Sequence, residues 1–334
     1  CPGGELVYRI FDVVEDDTTI VVNCAGRTRS IMGAQSLINA GVSNEIFALE
    51  NGTMGWELAG LTLKYGASES VEAPSEKGQA QASEAAERVR RKSNIEFITE
   101  DSLRQWVDDH AHTTYLLDVR SSEEYSEAHL NGFRSAPGGQ LVQATDEYMA
   151  TLGAKVVLAD DDYTRATMSA SWLKQMGWDV FIYEHGALDR ELVAGLEEIE
   201  LKAPAVPNTS SVGNSLIIDL STSAEHRRGH IPGAIWSVRG RLSDLAQRLS
   251  DPNPKSIILT AKNKMIPALA YEEAQKAWPD AEVRVLEEWY GEEEQGLDTD
   301  EIIDDLWILP YDPVDAEVAR EAMIGYLVWE VDLV

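Results

Sequence analysis

The residues best suited to chemistry lie close together near the start of the chain. Cys24 comes after an apolar segment, residues 19–22, that is typical of a buried strand, and Arg27 and Arg29 follow it in a short loop. Apolar residues then recur at helical spacing, at Ile31, Ala34, Leu37 and Ile38. A helix that starts there would direct its free N–H groups and its positive end at the thiol, which favours the nucleophilic thiolate. A free cysteine is otherwise a small buried apolar residue, but the two arginines have no use in a core and favour an anion site.

The loop also resembles a known family. Residues 24–30, Cys-Ala-Gly-Arg-Thr-Arg-Ser, are similar to the active-site loop of the rhodanese family, the thiosulfate-type sulfurtransferases, and residues 47–56 resemble the strand and turn that close such a domain. The resemblance implies that Cys24 is catalytic: it takes a sulfane sulfur from a donor, becomes a persulfide and passes the sulfur to an acceptor. The substrate-binding residues would be Ala25, Gly26, Arg27, Thr28, Arg29 and Ser30.

A second signature of the same family occurs twice, at a constant spacing of 101 residues. The matching pairs are Asp118 with Asp219, Glu124 with Glu225, His129 with His230, and Gly132 with Gly233. Self-similarity at a fixed spacing is the sequence signature of a repeated structural unit. It predicts tandem copies of one domain, in which the histidines belong to a structural turn.

The later half of the repeat places other residues where the first copy has its cysteine. Thr164-Arg165-Ala166 mirrors Thr28-Arg29-Ser30, so Asp160 takes the position of Cys24. In the third copy that position holds Ala261 or Thr260. Both copies lack the nucleophile, and the acidic run 160–162 would repel an anionic donor, so we expect both to be non-catalytic.

The expected fold is α/β: tandem rhodanese-like domains, each a mainly parallel five-stranded sheet flanked by helices. Residues 1–66 would form the C-terminal half of a domain that carries Cys24, and residues 67–92 a linker and the start of a helix. Residues 93–203 and 204–292 would be the second and third domains, and 293–334 an acidic connector with a C-terminal helix. The chain is expected to open halfway through a domain, with the missing half upstream or supplied by a separate segment.

The C-terminal stretch from Val314 to Trp329 is amphipathic. Its apolar side would consist of Val318, Met323, Ile324, Leu327 and Val328. The pattern favours a helix packed on a neighbouring domain, with a partner-binding helix as the alternative.

Composition narrows the range of partners. The 334 residues carry a net charge of −30, which argues against a nucleic-acid partner, and no apolar run approaches the ~20 residues of a membrane span. Two cysteines in the whole chain fit a reducing, cytoplasmic location. No Cys/His spacing suggests zinc and no glycine-rich phosphate loop is present, so we expect no metal and no cofactor. The expected partners are a small anionic sulfur donor and a thiol, cyanide or protein acceptor, among which the sequence does not choose.

Two other classes of function stay open. Cysteine-dependent phosphatases and arsenate reductases have a similar loop, but they need an arginine after five intervening residues, where this chain has Ser30. A non-catalytic rhodanese scaffold is suggested by the two copies without a cysteine, although Cys24 itself counts against it.

Overall fold

The chain folds into two compact units in the computed structural model. Residues 1–184, 190–195, 203–206, 213–249, 253–289, 291–296 and 316–332 are described. The first unit is Cys1–Glu197 with Pro313–Val334, and the second is Glu198–Asp312. Within the described residues, no helix is both long and apolar enough to cross a membrane. The domain boundaries given above stay a prediction.

The first part of unit one is a small parallel sheet with helices around it. Its elements are α1 (Leu6–Arg9), β1 (Ile20–Val22), α2 (Thr28–Ala40), β2 (Ile46–Ala48) and α3 (Gly52–Leu58), with 3-10 turns at Gly3–Glu5 and Ile10–Asp12. Strands β1 and β2 pair in parallel, and α2 connects them. Helix α2 ends where Gly41 adopts a left-handed φ of 77°, which suits a residue without a side chain.

The rest of unit one contains a five-stranded parallel sheet. Its elements are α4 (Glu76–Lys92), β3 (Glu96–Ile98), α5 (Glu100–Asp108), β4 (Thr114–Asp118), α6 (Ser122–Glu127), β5 (His129–Leu130), β6 (Arg134–Ser135), α7 (Gly138–Gln143), α8 (Thr145–Tyr148), β7 (Lys155–Ala159), α9 (Thr164–Gln175), β8 (Asp179–Tyr183), β9 (Leu192–Val193) and α14 (Ala316–Asp332). The strand order is β3-β8-β7-β4-β6, and β5 and β9 form a separate antiparallel ribbon.

Unit two repeats that sheet. Its elements are β10 (Ala205–Val206), β11 (Leu216–Asp219), α10 (Ser223–Arg228), β12 (Ile235–Trp236), an Arg239–Arg241 3-10 turn, α11 (Leu242–Arg248), β13 (Ser256–Thr260), α12 (Met265–Leu269), α13 (Tyr271–Ala277) and β14 (Glu282–Leu286). The order β10-β14-β13-β11-β12 matches that of unit one, strand for strand, and all its pairs are parallel. The predicted tandem α/β fold with parallel five-stranded sheets is confirmed.

Both large sheets are covered on two faces. In β7, Val156 and Leu158 belong to one apolar cluster and Val157 to another, because successive strand residues point to opposite faces. In β13, Ile257 and Ile258 divide in the same way. Burial on both faces is the usual condition of a parallel sheet, and it leaves the carboxyl ends of the strands as the place for a site.

The repeat holds at the level of single contacts. Asp118 ends β4 and Asp219 ends β11. Glu124 and Glu225 each complete a capping box, with Ser121 and Thr222 as the N-cap residues. The two repeat histidines are likewise structural. His129 and His230 are buried, and each Nδ1 lies 2.8 Å from a carbonyl oxygen four residues earlier, on Tyr125 and His226 respectively.

Helix α14 packs with a different face from the one expected. The apolar pattern placed Val318, Met323, Ile324, Leu327 and Val328 on one packing side. That prediction is wrong: Met323 is buried, but Val318 and Val328 are 59% and 55% exposed. The buried face carries Met323 and Glu330, which the helical repeat brings to the same side. Residues 314 and 315 of the predicted stretch lie outside the described residues.

Candidate active site

Cys24 lies at the carboxyl end of the small sheet, between β1 and the start of α2. It is a free, partly exposed cysteine. Helix α2 begins at Thr28, and the residue before it, Arg27, contributes no side-chain cap to the free N–H groups of the first turn. The structure therefore brings together what the sequence predicted: a thiol after a strand and a helix N-terminus beside it. Such an end attracts negative charge.

The first residues of α3 hydrogen-bond to the backbone of the Cys24 loop, residues 24–30. The N–H groups of Thr53 and Met54 donate to the carbonyl oxygens of Cys24 and Ala25, each at 2.9 Å. Because C=O and N–H of a trans peptide point in opposite directions, the amides that follow these carbonyls point away from α3. Gly52 makes this approach possible: it has a φ of +58°, and a Cβ there would lie 2.2 Å from the Cys24 oxygen.

The predicted binding residues fall into two groups. Arg27, Thr28 and Arg29 are exposed, and Ala25 is partly exposed. The other two are buried: Gly26 lies under α14, and the Ser30 hydroxyl donates to the Arg27 carbonyl oxygen at 2.8 Å. Ser30 therefore uses its side chain to shape the loop, and the cationic groups are left free to meet a ligand.

Glu330 of α14 is part of this site, although the sequence did not point to it. Its Oε1 accepts hydrogen bonds from the Thr28 backbone N–H at 3.2 Å and from the Thr28 hydroxyl at 2.9 Å. Burial raises the pKa of the neighbouring Tyr326 hydroxyl, and the Glu330 carboxylate raises it further, while Arg29 opposes. No local pattern links residues 302 positions apart, so only the fold could reveal this pair.

The corresponding loop of the second copy is closed by its own side chain. Asp160 Oδ1 accepts from the N–H of Tyr163 at 2.7 Å, and Oδ2 accepts from the N–H groups of Arg165 and Ala166 at 2.7 and 3.0 Å. Asp160 is 5% exposed. Its burial, and then the charge of Asp162, raise the pKa of Asp160 to about 7. The backbone hydrogen bonds and the charge of Arg165 act in the opposite direction but are outweighed.

Arg165, which mirrors Arg29, is buried in an acidic cluster. Its Nη1 lies 2.7 Å from Glu124 and 3.2 Å from Glu5, and its Nη2 lies 3.3 Å from Asp161. Burial disfavours the charged guanidinium, but Glu124 and Glu5 outweigh it and raise the pKa of Arg165. The arginine thus stabilises the fold and faces no open site.

The third copy has an open pocket without a thiol. A cavity of about 330 Å³ lies at the carboxyl ends of β11 and β13, where Ala261 follows the strand as Cys24 does in the first copy. Its polar lining includes Lys262, which pairs with Glu293 at 2.8 Å. Across the part of the chain that the structure describes, no group of three or more His, Cys, Asp or Glu side chains could hold a metal ion.

Comparison with known proteins agrees with this architecture. The family model described as rhodanese-like domain matches residues 99–189 and 204–290, together more than half of the chain. The crystal structure of a thiosulfate sulfurtransferase from Pseudomonas aeruginosa is 37% identical, with a TM-score of 0.82. The alignment covers 99% of this chain and 66% of that one, so the chain spans less than two thirds of its relative's length.

More distant structures add little. The Escherichia coli protein SseA, described as a 3-mercaptopyruvate sulfotransferase, is 17% identical over 59% of this chain and 100% of its own, with a TM-score of 0.26. No curated protein matches the chain. The repeated parallel sheets, the two family-model matches and the Pseudomonas aeruginosa structure agree, and the chain belongs to the rhodanese family.

Proposed function

We propose that the protein is a sulfurtransferase that moves a sulfane sulfur, from thiosulfate or a similar donor, to a thiophilic acceptor through a persulfide on Cys24. The observation that carries the proposal is the placement of Cys24, a free and accessible thiol next to the start of α2 in a chain of the rhodanese family. The loops of the other two copies hold Asp160 and Ala261 at this place and cannot form a persulfide.

The first step forms one S–S bond and breaks another. The Cys24 thiolate attacks the outer sulfur of thiosulfate, and the electron pair of the cleaved S–S bond leaves with sulfite. The enzyme keeps a cysteine persulfide, and no oxidant or reductant is consumed. The amides of residues 25–30 and the start of α2 would hold the anionic end of the donor and then the persulfide. Arg27 and Arg29 supply positive charge.

The second step returns the thiolate. A nucleophilic acceptor attacks the outer sulfur of the persulfide, and Cys24 leaves as thiolate. Cyanide gives thiocyanate, and a thiol gives a new persulfide. The acceptor is a small thiol, cyanide or a protein.

Two alternatives are weaker. A phosphatase or arsenate reductase needs an arginine at position 30, where the buried Ser30 hydroxyl instead bonds within the loop. A non-catalytic scaffold leaves the exposed arginines and accessible thiol of the first loop without a role.

The test is the mass of the Cys24 peptide after treatment with thiosulfate. We expect a gain of about 32 Da, one sulfur, that cyanide removes. Cys24→Ser should show no gain, and hydrolysis of an aryl phosphate should be absent. An unchanged mass in the wild-type protein after both thiosulfate and an organic persulfide, or turnover of the aryl phosphate, would count against the proposal.

A further inference from the structure

Helix α14 places a carboxylate where the candidate site would hold an anion. Glu330 is 8% exposed. Its Oε1 accepts from the backbone N–H and the hydroxyl of Thr28, the first residue of α2. An N–H group in the first turn of a helix is the group that an anionic ligand would use. Glu330 therefore already occupies part of the anion-binding surface of the Cys24 loop.

The second oxygen of this carboxylate lies against the loop, beside the Tyr326 side chain. Glu330 Oε2 is buried and accepts no hydrogen bond of ordinary geometry within the described residues. It lies 2.7 Å from where a Cβ of residue 26 would be, and Tyr326 Cε1 lies 2.9 Å from the same point, so a larger residue at position 26 would have to displace these side chains of α14. Across the same residues, no lysine or arginine forms an ion pair with Glu330. A carboxylate without an ion-pair partner among the described residues is thus held against the middle of the loop.

This carboxylate would repel an anionic donor. Two negative groups at one partly buried position disfavour each other, because little water remains to screen them. Thiosulfate carries two negative charges and would have to share the α2 N-terminus with Glu330 or displace it. An organic persulfide is uncharged when protonated, and the organic part leaves as a thiolate. Its reacting end is therefore not repelled by Glu330.

We propose that Glu330 is a specificity-determining residue that selects against donors with anionic reacting ends, thiosulfate among them, and in favour of an organic persulfide, R–S–SH. The proposal rests on the sulfur transfer proposed above. In the favoured step the Cys24 thiolate attacks the outer sulfur, the S–S bond of the donor breaks, and R–S⁻ leaves with the electron pair. Charge and atoms balance: a thiolate and a persulfide give a persulfide and a thiolate.

Alkylation of Cys24 tests the charge at the loop independently of sulfur chemistry. Iodoacetate and iodoacetamide are similar in size but differ by one negative charge. The probe is the ratio of their rate constants at Cys24, followed by peptide mass, with the exposed Cys1 as an internal reference. Glu330→Gln keeps size and hydrogen bonding but removes the charge, and should raise the iodoacetate-to-iodoacetamide ratio about fivefold. Glu321→Gln, an exposed change on the same helix, should leave the ratio unchanged.

Sulfur transfer tests the donor preference. Glu330→Gln should raise kcat/KM for thiosulfate about tenfold and leave kcat/KM for an organic persulfide within twofold. Thermal melts establish that each variant is folded. If Glu330 only caps α2, the melting temperature falls while both the alkylation ratio and the donor preference stay as in the wild type, and the inference is overturned. If no sulfur loads onto Cys24 from either donor, the proposed function fails and the donor preference falls with it. In that case, the alkylation ratio still shows whether the charge of Glu330 disfavours anionic reagents at Cys24.

Discussion

The loops of the first and second copies both have a carboxylate at the start of their helix, but the two carboxylates come from different parts of the chain. In the Cys24 loop it is Glu330, which arrives from a separate helix and bonds to Thr28. In the other loop it is Asp160, which stands at the cysteine position itself and takes three backbone N–H groups. Glu330 leaves the cysteine position to a thiol, whereas Asp160 fills it. The same backbone can therefore serve as a site or as a closed structural turn.

The matching arginines differ in the same sense. Arg29 is exposed, while Arg165 is 1% exposed and surrounded by Glu5, Glu124 and Asp161. Glu5 comes from the first copy, and its counterpart in the second copy is the uncharged, exposed Gln140.

The largest expected effect is the loss of activity when the first loop loses its thiol. Cys24→Ser should reduce thiosulfate:cyanide sulfur transfer to the background rate, since a serine hydroxyl cannot form a persulfide. Cys1→Ser, the matched control outside the loop, should remain near normal. Equal losses in the two variants would contradict the assignment.

The second loop should not replace the first. Adding Asp160→Cys to Cys24→Ser should leave transfer at background, because position 160 is 5% exposed and a donor cannot reach it. The flanking Asp161 and Asp162 would also repel an anion. Clear thiosulfate turnover in this double variant would contradict the prediction that the second loop is closed to a donor.

The next effect concerns stability. Arg165→Met should cost about 3–5 kcal/mol of unfolding free energy, because it leaves buried carboxylates without their cation. Arg29→Met should change it by about 0.5 kcal/mol or less, as for most exposed positions. Denaturant unfolding of both variants measures the difference. Similar costs would mean that the two arginines are held alike.

Arg27 should affect activity more than stability. Arg27→Ala removes an exposed cation from the first loop, and we expect a loss of about 1.5–3 kcal/mol in binding of an anionic donor, or about ten- to hundredfold in kcat/KM. An uncharged donor should lose less, and the melting temperature should barely move. A thiosulfate kcat/KM within twofold of the wild type would mean that Arg27 does not contribute to donor binding and that the backbone amides alone hold the anion.

What the sequence revealed was local or repeated. The pairing of Glu124 with Glu225, the histidine turns and the strand–loop–helix around Cys24 all follow from short-range chemistry or from the alignment of copies. What it missed depends on distant chain segments. Glu330 meets Thr28 and Glu5 meets Arg165 across 302 and 160 positions.

Helix α14 shows why such contacts stay hidden. Periodicity predicted the helix but assigned the wrong packing side, because a pattern of apolar residues does not show which polar group a neighbouring loop needs. Glu330 is buried while Val318 and Val328 are exposed, and this becomes understandable only when the Thr28 N–H is known to lie beside Glu330.

The smallest expected effect is a pH dependence that comes from the closed loop. Burial first, and then the charge of Asp162, raise the pKa of Asp160 from an ordinary 3.8 to about 7. Between these values the folded protein keeps a proton that the unfolded chain has lost. The stability from this group is therefore fully present below about pH 4 and is lost as the pH rises through 7. The unfolding free energy of the wild type, relative to Asp160→Asn, should fall by about 1 kcal/mol per pH unit between pH 5 and 6.5. Asp146→Asn, at an exposed position, is the control. A flat difference would mean that the N–H groups of Tyr163, Arg165 and Ala166 keep Asp160 ionised.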